Sequence, residues 1–430
     1  MTLSQAEHHE TRSNLRWNFS WGAASGVLYE SGIAVVNTGT VLPSFLANLT
    51  GSGVAVGAAE SIRRFGWLVP QLFVARYAQS RRHRIPIYLL SGFGRAAFIA
   101  LLAALLLLSS LRSGWLLAAF FVAWSGYSFI SGIAGVPYND VVGRVVPSER
   151  RSTFLAIRFT GGGILAAGIG LLIQAILLGV PSFPLNYGLI FGLGAVVLAL
   201  SAVAFGLIRE PAAPLDGRRQ ERFAHFLGAG WHVLKRDRRF RFFTYYQLAT
   251  GLTTMAFPFY VLQARQVSGL PQAAVGTLLA AQQVGSVVLN PLWGAWGDHV
   301  SKLSLLKGLS WTAALTPAIA LVVPPLTVEN VLGSQQVIFI AYAIIFFFIG
   351  GLLSGETTGY LVYLMEISPD GRRADYSGYM NAFVAPARLL PLLAGALVDL
   401  ISFRLLFATT LLSVVGRLWL LNQLAQSSDK

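Results

Sequence analysis

The sequence predicts an all-α membrane protein with twelve transmembrane helices in two pseudo-symmetric six-helix bundles. Of its 430 residues, 55% are hydrophobic and 12% are charged, about half the charged share of an average soluble domain. Apolar runs of roughly 20 residues, the length that crosses a ~30 Å hydrocarbon core as a helix, recur along the chain. Only one long polar segment interrupts them, and it leaves six runs on either side.

The apolar runs predict spans at 19–46, 53–75, 86–110, 114–143, 153–179, 186–208, 241–263, 271–294, 303–325, 335–364, 376–399 and 403–424. The domain organisation follows from these spans: a polar head at 1–18, a first bundle at 19–208, a linker at 209–240, a second bundle at 241–424 and a tail at 425–430. The first run has no small-residue cleavage site, so we expect it to be retained.

The formal net charge of +14 has a topological explanation. Most Lys and Arg residues fall in the loops on the side of the two termini, and such loops face the cytoplasm. We therefore expect an inner-membrane protein with both termini in the cytoplasm, embedded in lipid as a monomer, and no nucleic-acid partner. The chain has no cysteine, which excludes disulfides and Cys-ligated metals.

The linker contains FAHFLGAGWHVL at 223–234, with apolar residues at helical spacing beside a basic end. This pattern predicts an amphipathic helix on the membrane surface, which explains it better than a calmodulin-like or nucleic-acid partner does.

Two loop motifs occur twice, half a chain apart. VPSERR at 146–151 aligns with SPDGRR at 368–373, an offset of 222 residues, and LVPQLFVARYAQSRR at 68–82 aligns with LNPLWGAWGDHVSKL at 289–303, an offset of 221. The two halves therefore resemble a duplicated six-helix unit with parallel repeats.

This layout and these motifs resemble the major facilitator superfamily of secondary transporters over essentially the whole chain. GAWGDHVSK matches that family's loop motif through Gly294, Asp298 and Lys302. EISPDGRRADYSG matches a second pattern through Glu366, Pro369 and Arg373. The first-half copy keeps Pro147 and Arg151 but has Arg144 where the glutamate would stand.

The resemblance implies alternating access, in which two bundles rock about a central cavity. It also implies that charged loop residues hold the cytoplasmic ends together in one state and release them in the other. We expect the motif residues of both halves to form this cytoplasmic gate.

Glu30 lies inside the first span, where an ionised side chain costs ~2.5–3.5 kcal/mol on insertion scales unless it faces a cavity or a partner. Gly26, Ala34 and Asn37 share its helical face. In the second span, Glu60, Arg63 and Arg64 are spaced for self-pairing. The leftover arginine is a candidate counter-ion for Glu30.

The other predicted cavity residues are charged or amide side chains within spans: Arg158, Gln282, Gln283, Glu356, Asn381 and Arg388. Such a cavity would bind a charged or zwitterionic solute. The sequence contains no G-x-x-x-x-G-K-[ST] nucleotide motif, no clustered metal ligands and no catalytic constellation, so we expect neither an enzyme nor a cofactor.

The sequence thus predicts a secondary transporter for a small organic solute, coupled to protons through Glu30 with Glu60 or Glu356 assisting. Three alternatives remain open. Glu30 could form a static ion pair, the protein could be a uniporter or an amphiphile or drug exporter, and it could be a non-transporting receptor or scaffold. The substrate and the direction of transport are not encoded in any motif.

Overall fold

The computed structural model describes residues 3–79, 81–108, 113–180, 182–211, 223–328, 335–369 and 372–428, which are helical with short connections and contain no strand. The helices are α1 Leu3–Val35, α2 Val41–Thr50, α3 Gly53–Gln79, α4 Ile85–Leu108, α5 Ser113–Val145, α6 Arg151–Gly179, α7 Leu185–Gly206, α8 Phe223–Arg236, α9 Arg238–Thr254, α10 Phe257–Gln266, α11 Ala274–His299, α12 Lys302–Val328, α13 Gln335–Ile367, α14 Arg373–Val384, α15 Leu390–Leu400 and α16 Phe403–Ser428.

These helices cover all twelve predicted spans. Within the described residues, eight helical segments are long and apolar enough to cross a membrane. Some of these segments combine a helix with an adjoining turn. The other four spans correspond to α1 with α2, to α3, to α9 with α10, and to α11, which are interrupted or more polar. The all-α membrane fold is therefore confirmed.

Three predicted spans are broken rather than continuous. Span 1 breaks after Val35 at the sequence Asn-Thr-Gly-Thr, and span 7 breaks between Thr254 and Phe257, where Pro258 stands in the first turn of α10. Span 11 is divided by a 3-10 turn, Ala385–Leu389, with a proline at the start of that turn and another at the start of α15. Proline favours the first turn of a helix because it has no N–H to donate.

Helical structure extends into both predicted end segments, the head at 1–18 and the tail at 425–430. Helix α1 begins at Leu3, within the segment 1–18, and α16 continues to Ser428. In the linker, α8 is helical as predicted, while residues 212–222 lie outside the described part of the chain. The ring of Phe226 on α8 lies 4.6 Å from that of Tyr379 on α14. The location of α8 on a membrane surface stays a prediction.

The chain forms two compact units, one of residues 1–37 and 62–218 and the other of residues 38–61 and 219–430. In the first unit α1 packs on α7, α4 on α7 and α4 on α5; in the second, α9 packs on α16, α12 on α16 and α12 on α13. By span order these are the same three pairings, so the packing repeats as the duplicated motifs do.

The repeated loops have the same backbone geometry. Arg150 N–H donates to the Pro147 carbonyl at 3.0 Å, and Arg372 N–H donates to the Pro369 carbonyl at 3.0 Å. Each proline therefore begins an equivalent turn after its helix.

Residues 38–61 belong to the second unit although they precede most of the first half. The Asp399 carboxylate accepts hydrogen bonds from Gly53 N at 2.6 Å, Val54 N at 3.0 Å and Ser52 Oγ at 2.7 Å. It thereby caps the N-terminus of α3, which leaves its first N–H groups without partners in the helix. A side chain at Gly57 would overlap the Pro391 carbonyl, so α3 and α15 pack backbone to backbone.

Helices α11 and α13 also approach at backbone distance. A Cβ atom at Gly285 would overlap the Phe347 carbonyl, and one at Gly350 would overlap the Gln282 carbonyl. Small residues allow this packing between helices in a membrane.

Candidate functional site

An ion pair joins α1 to α6 in the first unit. Arg158 donates from Nε at 2.9 Å and from Nη2 at 2.7 Å to Oε1 of Glu30. The side chains are 13% and 20% exposed, respectively. At this depth an ion pair is weakly screened, so the two charges strongly stabilise each other once both are desolvated.

Glycines make the room for this pair. A Cβ atom at Gly26 would lie 2.7 Å from Cγ of Arg158, and one at Gly162 would lie 2.5 Å from Cβ of Glu30. Gly161, whose Cβ atom would lie 2.9 Å from Cγ2 of Val27, and Gly162 therefore allow close packing of α6 against α1.

Aromatic rings surround the guanidinium groups of Arg158 and Arg95 in the first unit. The Arg158 guanidinium stands 4.5 Å from the ring centre of Tyr138 and 5.4 Å from that of Tyr29. The Arg95 guanidinium, on α4, stands 4.7 Å from the ring centre of Tyr29 and 5.6 Å from that of Tyr88. Tyrosine faces attract cations, which partly offsets the cost of burying two arginines.

A cavity of about 180 Å³ opens between these groups. Its wall includes both arginines, the rings of Tyr29, Trp67, Tyr88 and Tyr138, and the polar side chains of Ser131 and Asn139. Polar side chains set among aromatic rings are typical of small-molecule sites.

The structure corrects two predictions around Glu30. Its counter-ion is Arg158 of α6, where the sequence had suggested an arginine of span 2. Asn37 lies beyond the end of α1, because the helix stops at Val35, so it does not continue the helical face of Glu30. Gly26 and Ala34, the other predicted members of that face, are buried.

The three charged residues of span 2 fall in different units. Glu60 is buried and belongs to the second unit, whereas Arg63 and Arg64 are half-buried and belong to the first.

A second buried ion pair lies inside the second unit. Arg417, on α16, is fully buried and donates from Nη2 to Oε1 of Glu356 on α13 and, at 2.7 Å, to the hydroxyl of Tyr246 on α9. The predicted site residue Glu356 is thus held by three helices of its own unit.

The remaining predicted cavity residues also lie in the second unit. Gln282 is buried on α11 and its Oε1 has no hydrogen-bond partner, while Gln283 beside it is half-buried. Asn381 is half-buried on α14, and Arg388 is half-buried in the 3-10 turn of span 11. Their role in substrate binding stays a prediction.

Two of the predicted gate residues meet. Lys302 Nζ lies 2.9 Å from Oε2 of Glu366, with both side chains more than a third exposed. Asp298 and Arg373 are exposed, Gly294 has open space around it, and Pro369 begins the turn before α14.

In the first unit the corresponding positions do something different. Arg151 donates to the carbonyls of Val146 at 3.1 Å and Gly143 at 2.5 Å, and so caps the C-terminal end of α5 after the turn at Pro147. Arg144, which replaces the motif glutamate, donates to Asp140 and Glu210. Glu210 also accepts from the backbone N–H of Arg84 at 2.8 Å.

Arg95, Arg417 and the tyrosines around them were not predicted as site residues from the sequence. Both arginines lie in apolar helices. Their charge was the signal that could have identified them as site candidates, because an intramembrane charge requires a cavity or a partner. Neither has a carboxylate at helical spacing on its own helix, so only the tertiary structure shows what surrounds them.

Comparisons with known proteins agree with this architecture. The sequence model of the Major Facilitator Superfamily matches residues 26–390. Uncharacterized proteins of Mycobacterium tuberculosis and Mycobacterium bovis are 26% identical over 232 residues, which is 52% of this chain and 43% of theirs. The match therefore spans less than half of the length of these relatives.

Solved transporter structures share the fold over nearly the whole chain. A point mutant of the nucleoside transporter NupG has a TM-score of 0.72 at 13% identity and covers 95% of this chain and 99% of its own. The peptide-transporter-family protein PepTSo has a TM-score of 0.69 at 12% identity, with 95% and 98% covered. A bacterial homologue of the iron transporter ferroportin has a TM-score of 0.65 at 15% identity, again with 95% and 98% covered. With 85% of its length inside the family match and a fold shared with these transporters, this chain belongs to the Major Facilitator Superfamily.

Proposed function

We propose that the protein is a secondary active transporter that moves a small organic solute by alternating access, coupled to protons through Glu30. The observation that carries the proposal is the Glu30–Arg158 ion pair, whose arginine lines the first-unit cavity.

The ion pair can serve as a proton switch because its charge depends on one carboxyl group. Glu30 is paired with Arg158 of α6, and the rings of Tyr29 and Tyr138 lie against the Arg158 guanidinium. A proton on Glu30 removes its negative charge and releases the Arg158 guanidinium toward the cavity. A bound solute that interacts with this guanidinium would then favour one protonation state over the other.

Alternating access is supported by the exposed charges at the helix ends. The Lys302–Glu366 pair is a contact that can break at low cost to let a pathway open, since exposed ion pairs contribute only about 0–1 kcal/mol. The basic loops favour an inner-membrane location with the termini in the cytoplasm.

The test is solute-driven proton flux in proteoliposomes. The purified protein is reconstituted with an internal pH dye and exposed to nucleosides, dipeptides, monosaccharides and small carboxylates in turn. We expect at least one solute class to change the internal pH, and Glu30→Gln to abolish this change. Glu149→Gln, which removes an exposed carboxylate outside the predicted gate residues, is the matched control and should preserve the pH change.

Two outcomes would contradict the proposal in different ways. Solute uptake without proton movement would indicate a uniporter, and the coupling role of Glu30 would be wrong. Specific solute binding without flux of any kind would indicate a receptor or a scaffold.

A further inference from the structure

The wall of the first-unit cavity contains two arginines, and only one of them has a carboxylate partner. Arg158 is paired with Glu30. Among the described residues, no carboxylate lies within ion-pair distance of Arg95. An unbalanced charge this deep in a membrane protein is costly unless a ligand or a cavity compensates for it.

Arg95 is held in place but is incompletely satisfied. Its side chain is only 4% exposed, it lines the cavity, and its Nε has no hydrogen-bond partner. The rings of Tyr29 and Tyr88 attract the guanidinium, but the faces of these rings leave the Nε–H unbonded. A buried donor on a charged group without an acceptor is destabilising, so this position suits an anion that would accept from it.

The shape of the site narrows the ligand further. Guanidinium presents its N–H groups as a planar fork, which matches the two oxygens of a carboxylate. The surrounding wall is aromatic, and the volume of about 180 Å³ is below the roughly 300–1,000 Å³ typical of drug-sized ligands. The ligand body should therefore be small, flat and apolar.

We infer that the transported solute is a small organic anion whose carboxylate binds Arg95 and whose apolar body lies among the tyrosine rings of the first-unit cavity. This inference rests on the proposed function, since it names the substrate class of the same site.

The two arginines then have different roles. Arg95 is available for the carboxylate in either state, while Arg158 becomes available only when Glu30 accepts a proton. When Glu30 is protonated, neither guanidinium group of the cavity has a protein counter-ion. The cavity then attracts an anion more strongly. By reciprocal linkage, the bound anion also favours protonation of Glu30, and the proton and the anion bind together.

The test compares benzoate with benzamide, which have nearly the same size and shape and differ in charge. Calorimetric titration of the purified protein in detergent should show that benzoate binds at least about tenfold more tightly, as expected from one charge-assisted hydrogen bond. Acetate and acetamide form a second pair that tests the carboxylate without the ring. The preference for benzoate should increase at acidic pH.

Arg95→Gln should remove the preference of the protein for benzoate over benzamide. Arg404→Gln, which removes an exposed arginine at the start of α16, is the charge-matched control and should preserve it. If Arg95→Gln does not fold, Arg95→Lys keeps the charge but loses the fork, and it should bind benzoate more weakly than the unmodified protein. The comparison of the two ligands on the unmodified protein requires no variant.

The inference is wrong if neither carboxylate binds, if the amides bind equally well, or if Arg95→Gln retains the preference. The proteoliposome assay separates this failure from failure of the proposed function. A neutral solute that drives Glu30-dependent proton flux would preserve the function and overturn the inference. Arg95-dependent binding of benzoate without any proton flux would preserve the inference and overturn the coupling.

Discussion

At the scale of single residues, the ion-paired glutamates Glu30 and Glu356 differ in what surrounds them. Arg158, the partner of Glu30, lines a cavity, whereas Arg417 is fully buried among three helices with Glu356 and Tyr246. The first pair is accessible to a ligand and the second is enclosed by protein. We therefore expect Glu356 and Arg417 to act mainly on stability.

Arg417→Met should lower the free energy of unfolding by about 3–5 kcal/mol, because it leaves the Glu356 carboxylate buried without its partner. The double variant Arg417→Met with Glu356→Met should recover most of this loss, since replacing a whole buried pair with apolar residues is often neutral. Unfolding of the solubilised protein in denaturant measures both values. A double variant no more stable than Arg417→Met would show that the carboxylate is not the source of the cost.

Part of the residue-level site could be predicted from the sequence. Glu30 was identifiable because a carboxylate in an apolar span requires a partner, and the same rule applies to Glu356. The partners could not be identified, because Arg158 and Arg417 lie on helices far away in the chain and their pairing depends on how the helices pack.

At the scale of helices, α1 and α6 position the site through their glycines. Gly162 faces Glu30, whereas Gly168, two turns along the same helix, is exposed and has open space around it. This helix therefore contains both a test position and its own control.

Gly162→Ala should force α1 and α6 apart, weaken the Glu30–Arg158 pair and lower the melting temperature. Gly168→Ala should leave the melting temperature unchanged or raise it, since alanine is favoured over glycine in helices by about 1 kcal/mol. Thermal unfolding of the two variants in the same detergent provides the comparison. Equal melting temperatures would mean that α6 can shift without disturbing the pair.

A second prediction at this scale concerns the Asp399 carboxylate, which caps the N-terminus of α3. The chain has no native cysteine, so Val56→Cys, at a buried position near the start of α3, is a clean accessibility probe. Asp399→Asn should weaken the cap and expose this segment, which increases the rate of maleimide labelling. Asp375→Asn, at an exposed aspartate of α14, is the control for loss of one negative charge. An unchanged rate in Asp399→Asn would show that backbone packing alone holds the segment.

Helix existence followed from apolar length, but helix breaks did not. Prolines near residues 258 and 386 gave a local reason to expect interruptions, yet proline is also tolerated inside membrane helices, as Pro317 is in α12. Which proline interrupts a helix depends on the neighbours that can satisfy the freed backbone groups.

At the scale of the whole molecule, the duplication predicted from the loop motifs recurs in helix pairings and in turn geometry. The charged contacts have diverged between the halves. Glu210 is buried and serves Arg144 and the backbone at the start of α4, whereas Glu366 is exposed and contacts Lys302.

Glu210→Gln should therefore destabilise the protein clearly, because a buried carboxylate that accepts several hydrogen bonds is replaced by a neutral amide. Glu366→Gln should change the free energy of unfolding by no more than about 1 kcal/mol, as for other exposed ion pairs. Parallel unfolding curves measure both changes. Equal losses would mean that the Lys302–Glu366 contact is more important for stability than its exposure suggests.

The contact between α11 and α13 should make these two helices of the second unit unfold locally together. Since their backbones meet at Gly285 and Gly350, neither helix can loosen without separating from the other. Local unfolding proceeds in cooperative segments, and hydrogen exchange reports the free energy of each one. The amide protons of α11 and α13 should therefore exchange at a common slow rate, as a single cooperative segment made of two helices that are distant in the chain.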